Sequence, residues 1–163
     1  MDATWRLILW QQFGAAIDML ENAIQACPET LWSEAERRPE FWRMAYHTLF
    51  WLDVYLAGSF EGFAPPAPIG MEEWDPSSAA ARPYTQAELL GYLRHGRSRC
   101  RARIEGLDEV SARQPCRFEW DEFSLAELLV YNMRHVQHHA AQLNLILRQA
   151  TGSAPDWVSR TRS

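Results

Sequence analysis

Cysteine is scarce and unpatterned in this chain of 163 residues: Cys27, Cys100 and Cys116 are odd in number, widely spaced and form no CxxC pair. That suggests neither a disulfide framework nor a cysteine zinc site, and none of the three has a recognisable context that would activate a thiol nucleophile. Positive charge is in deficit as well. With 16 Lys and Arg against 21 Asp and Glu the net charge is −5, so nothing draws the chain to nucleic acid. No apolar run reaches the roughly 18 residues of a membrane-spanning helix. The apolar stretch from Trp5 to Leu20 is broken by Arg6, Gln11, Gln12 and Asp18, with no small-residue cleavage site after it, and this is not a secretory pattern. A reduced, cytoplasmic setting is expected. Strand-like alternation, internal repeats and low-complexity tracts are missing too, which leaves helices as the building material.

Four long helical stretches are present. Trp5, Leu9, Phe13, Ala16, Ile17, Leu20 and Ile24 recur at three- and four-residue spacing and predict a first helix over 3–26, ended by Pro28. A short helical turn is possible around Thr30 to Glu36. The second helix runs from about Glu40 to Ala57 and is apolar nearly all round, from Phe41 and Trp42 to Tyr55 and Leu56. Such a helix is buried on several sides or covered by a second subunit, and Gly58 is its candidate cap.

An irregular segment follows, 59–83, with five prolines: Pro65, Pro66, Pro68, Pro76 and Pro83. A connection this long is either functional, as a lid or specificity loop, or must travel between the ends of a bundle. The pattern Thr85 to Glu88 is a capping box opening the third helix, whose inner face carries Leu89, Leu93, Gly96, Cys100, Ile104 and Leu107. Arg94, Arg97, Arg99, Arg101 and Arg103 lie along it beside Glu88, Glu105 and Asp108, the composition of a solvated face. After a loop with Pro115, Trp120 and Phe123, a second capping box from Ser124 to Glu127 starts the fourth helix, which continues to about Ala150. The fold class expected is all-α: a single-domain four-helix bundle with a long connection between its second and third helices.

Three of the five histidines, His135, His138 and His139, sit in less than two turns of that fourth helix. Positions four apart share a face, so His135 and His139 can aim two imidazoles at one point, as a transition metal requires. On a helical wheel His139 lies roughly 30° from the middle of the apolar stripe, His135 roughly 70° and His138 roughly 130°. The pair 135/139 therefore outranks 135/138. Asn132 projects along the stripe, where a buried amide must find partners. A third ligand has to come from a facing helix. His47 is the only histidine on the second helix, set among Met44, Tyr46, Phe50 and Trp51; a lone buried histidine is often a core residue, but the pair elsewhere makes it a candidate ligand. His95 is expected to face solvent. No glutamate follows His135, so the His-Glu-x-x-His pattern of zinc peptidases is absent. Three imidazoles leave a coordination position open, the arrangement of catalytic rather than structural zinc. Candidate supports for the ligands are Gln142, Asn132 and Asp53, and candidate pocket walls are Trp51 and Tyr131.

The two histidine segments, residues 45–53 (AYHTLFWLD) and 135–143 (HVQHHAAQL), together resemble the DinB-like superfamily of bacterial four-helix bundles. The chain departs from the common family form at Ala140 and Ala141, where Arg-Gly is usual. The resemblance implies a metal triad of His47, His135 and His139, with His138 as a neighbour. It implies a divalent ion, zinc or nickel, and frequent homodimers. Some relatives are transferases or isomerases that use a low-molecular-weight thiol, bacillithiol or mycothiol; many are known only from stress or DNA-damage induction. Three functions follow as expectations. The first is a metal-dependent hydrolase or thiol-dependent transferase, the second a non-catalytic stress-related dimer that binds metal or a small molecule, and the third a structural dimer whose histidines bind metal only opportunistically.

Overall fold

The computed structural model describes residues 3–34, 36–75 and 82–161. Four long helices form the bundle: α1 (Ala3–Ala26), α3 (Phe41–Ala57), α4 (Gln86–Glu105) and α5 (Leu125–Thr151), with a single short turn of helix, α2 (Glu29–Trp32), after the first. Their ends are set by side chains the sequence advertises. Thr85 and Glu88 close a reciprocal capping box at α4, and the Ser124 side chain accepts the Glu127 N–H at α5. Gly58 and Gly152 end α3 and α5 at φ of 86° and 79°, a backbone region that glycine enters without steric cost.

Apolar stripes from all four helices meet in one core, in which Phe13, Phe41, Phe50, Leu93, Leu128 and Val136 are fully buried. Both α1 and α3 pack against α4 and α5, so α1 and α3 stand diagonally opposite. Leu52 faces Gly96, and Arg103 reaches the carbonyls of Leu56 and Ala57. Contacts between α3 and α4 thus rise together along both chains, and the two helices run parallel. A crossover from the C-terminal end of α3 to the N-terminal end of α4 must therefore travel the length of α4, about 30 Å for 20 residues. This explains the long proline-rich connection. It lies along α3 on its way: Phe60 and Phe63 pack on Trp51 and Phe50, and Gly70 and Glu72 meet Tyr46. Residues 76–81 of the connection, with Pro76, lie outside the described residues.

One expectation is corrected and one choice is narrowed. A small antiparallel hairpin, β1 (Pro115–Arg117) and β2 (Glu122–Ser124), precedes α5, with Cys116 opposite Phe123. Three-residue strands are too short to show alternation, so periodicity passed over them. The apolar outer face of α3 is covered from within the chain, by Phe60 of the crossover and Trp120 at the hairpin turn. Of the two ways to bury such a helix, cover from within the chain is the one seen here. Among the described residues no helix is long and apolar enough to cross a membrane.

Candidate metal centre

His47 sits near the middle of α3, while His135 and His139 lie one turn apart on α5, the helix packed beside it. Because α5 presents positions four apart on one face, both of its rings reach the same spot on α3. One nitrogen from each of the three rings falls within 4.8 Å of the others. Nε2 of His135 is 3.4 Å from Nε2 of His47, and the His47 and His139 ring centroids are 4.8 Å apart.

Hydrogen-bond partners decide which nitrogens are available. Nδ1 of His47 is 2.5 Å from Oε1 of Glu73, and Nδ1 of His139 is 2.7 Å from Oε1 of Gln142. Each of those Nδ1 atoms donates to an acceptor, so in the neutral ring each Nε2 keeps its lone pair. Two lone pairs thus converge on the third imidazole, whose Nε2 lies within hydrogen-bond reach of His47 Nε2. Nδ1 of His135 is buried without a partner.

The donor set suits a cation. An ion with tetrahedral bonds of about 2.0–2.1 Å holds its nitrogens about 3.4 Å apart, the separation seen between His47 and His135. Burial pushes the His135 imidazole down to about 3, helped by the neighbouring His139, His47 and His138 rings. Burial likewise pushes His139 down to about 4, with His47 adding to it and the Gln142 hydrogen bond opposing. Both rings are neutral at pH 7, the form a metal binds, so little proton release is needed there.

These depressed values make a prediction about the metal-free protein. The unfolded histidines take up protons near pH 6.5, while the folded ones resist until about pH 3–4. The unfolded state then binds more protons in that interval, so stability is fully present above pH 6.5 and falls as the pH drops below it. At about pH 5.5 the loss is about 1 kcal/mol for His135, and smaller for the half-buried His139, whose charge solvent partly screens. Urea midpoints measured from pH 7.5 downward should fall less steeply in His135→Ala than in wild type; parallel curves would sink the idea.

The remaining candidates are distributed as follows. Gln142 touches His139, as above. Asn132 is fully buried and donates through Nδ2 to the Leu52 carbonyl at 3.0 Å, while its Oδ1 has no partner. Asp53, a candidate support by sequence, does not reach the triad. It is on a different face of α3, fully buried against α4, where it accepts from Arg99 and, at 3.2 Å, from the Tyr92 hydroxyl. His95 belongs to that cluster, its Nε2 3.6 Å from Asp53, rather than to open solvent alone. His138 is exposed, its ring meeting that of His139 edge-on. Trp51 lies one turn beyond His47 with ring centroids 6.5 Å apart, and Tyr131 packs against Tyr55 at 5.2 Å.

Sequence reasoning missed three contributors. Glu73 comes from the crossover, Tyr55 stands 5.9 Å from His135, and Trp120 closes on Trp51 at 5.5 Å. The adjacent pair Glu72 and Glu73 in an otherwise proline-rich apolar segment was the available signal. None of the three cysteines offers a ready thiolate. Burial raises all three cysteine thiols, Cys27 to about 12, and holds them protonated. A cavity of about 600 Å³, lined by His135, Tyr131, Arg134, His138, Gln12 and Trp157, opens beside His135.

No curated protein matches the chain at a significant level. The family model described as DinB superfamily matches residues 12–143. That span takes in most of α1, all of α3, the crossover and α4, and α5 as far as Leu143, with all three triad histidines, and the chain belongs to the DinB superfamily.

Proposed function

We propose that the protein is a metal-dependent enzyme that acts on a small molecule, a hydrolase or a transferase that uses a low-molecular-weight thiol. Its metal would be zinc or nickel, held by His47, His135 and His139. The observation that carries this reading is the convergence of three imidazole nitrogens within 4.8 Å, with Glu73 and Gln142 turning two of the rings so that Nε2 points inward. Three neutral ligands leave coordination positions free, the hallmark of catalytic sites. When bound, such an ion supplies Lewis acidity that polarises a carbonyl or lowers the pKa of a coordinated water or thiol.

The side chains around it favour an external nucleophile. Cysteine thiols are buried and protonated, and Glu73 is engaged by His47. The cavity lies between α1, α5 and the tail carrying Trp157; His135 lines it while His47 and His139 do not, and it is the approach proposed for a substrate. A homodimer is part of the proposal, and the first turns of α1 offer a surface for it, with Trp5, Leu7 and Ile8 exposed by 62%, 54% and 43%. So is a cytoplasmic setting, which suits three free buried thiols.

Metal analysis of protein made without an affinity tag is the first test, and a content far below one equivalent would defeat the reading. A substrate panel run with and without a small thiol comes second. Stoichiometric metal with silence across the panel would favour the non-catalytic, stress-related binder instead.

A further inference from the structure

We infer that Glu73 is the positioning residue of the metal centre, and that the crossover carrying it is a working part of the site rather than a tether. The inference rests on the metal-binding reading above. Glu73 Oε1 accepts from His47 Nδ1 at 2.5 Å and from the Trp51 indole N–H at 3.4 Å. Its side chain is only 19% exposed, so water competes little for that oxygen. Nδ1 and Nε2 stand on different edges of the imidazole, which places the carboxylate behind the ring, away from the point where the three nitrogens meet. Glu73 therefore acts through His47: it fixes the Nδ1–H tautomer, sets the ring's tilt and makes Nε2 a stronger donor to an ion.

The carboxylate is held there by its own supports. The Tyr46 hydroxyl accepts the Glu73 backbone N–H at 3.2 Å and lies 3.0 Å from Oε2 of Glu72. The Tyr84 hydroxyl donates to Oε1 of Glu72 at 2.8 Å and accepts the Gly70 N–H at 2.9 Å. Two tyrosines, one from α3 and one just ahead of α4, thus clamp residues 70–73 on both sides. Displacing this stretch removes the carboxylate from His47 without moving either helix.

The test compares Zn²⁺ affinity of wild type, Glu73→Gln and Glu73→Ala by competition with a chromophoric chelator at fixed pH, with helical content checked by circular dichroism. Glu73→Ala should bind Zn²⁺ about 10–100-fold more weakly. Glu73→Gln should fall between, because an amide oxygen still accepts from Nδ1 but carries no charge. Co²⁺ absorption at saturation should keep its shape in both variants, as the ligand set is unchanged. Nitrogen NMR of the wild-type imidazoles reads the tautomer with no substitution at all, and should show His47 protonated at Nδ1. Equal affinity for Glu73→Ala and wild type overturns the inference, as does a His47 protonated at Nε2. A Co²⁺ spectrum that reports a lost ligand also overturns it, since Glu73 would then coordinate directly. If wild type itself fails to take up Zn²⁺, the metal reading falls and this inference with it.

Discussion

His139→Ala and His135→Ala should each lower Zn²⁺ affinity by well over about 100-fold, while His138→Ala leaves it unchanged. Residues that merely support a ligand are worth about 10–100-fold, so removal of a ligand must exceed that range. The three positions lie within five residues on one helix, yet only His135 and His139 place a nitrogen with His47; His138 is exposed. Titration of untagged proteins with Zn²⁺, followed by metal analysis after dialysis, reads the difference. Metal-free His139→Ala should melt close to metal-free wild type, because a half-buried imidazole is replaced by a good helix former. Loss of binding in His138→Ala to the same degree would show that the ion, if bound, sits on the surface of α5 and not between helices.

Asp53→Ala is expected to give the largest loss of stability with no effect on the metal. The carboxylate is fully buried, accepts from the Arg99 guanidinium and the Tyr92 hydroxyl, and has His95 beside it. Breaking a buried charge pair from one side costs about 3–5 kcal/mol, since the partner is stranded. Arg99 is 36% exposed and can recover some hydration, which points to the lower end, about 3 kcal/mol. For a chain of this size that is a fall of about 6–12 °C in Tm. Zn²⁺ affinity should stay at the wild-type value, because Asp53 faces α4 while His47 faces α5. A folded Asp53→Ala that binds metal poorly would instead return Asp53 to the site.

Helix positions and the two inward histidines were legible because both depend on spacing along one helix. A period of 3.6 residues orients His135, His139 and Gln142 whatever surrounds them. What spacing cannot supply is which neighbour a side chain meets across elements. Asp53 shows this: it follows His47 by six residues on the same helix, which leaves the two on different faces, and its partners come from α4. Glu73 shows it from the other side. Its place depends on the path of a crossover whose anchors, Tyr46 and Tyr84, are far apart in sequence, and no local pattern encodes that path. Even on α5 the wheel set His139 deeper than His135, yet His135 is the more strongly desolvated ring. The neighbouring α3 and Tyr55 cover that edge of the stripe, and a single-helix projection has no knowledge of them.

The separation between His47 and His135 along the chain is 88 residues. An ion held between them ties the second quarter of the polypeptide to its last quarter, as a covalent cross-link would. By the loop-entropy estimate used for disulfides, a closure of that length restricts the unfolded chain by about 4–5 kcal/mol. A chain with three reduced, buried cysteines and no bridge among them can in this way gain a staple that needs no oxidising compartment, and that a chelator, rather than a reductant, would undo.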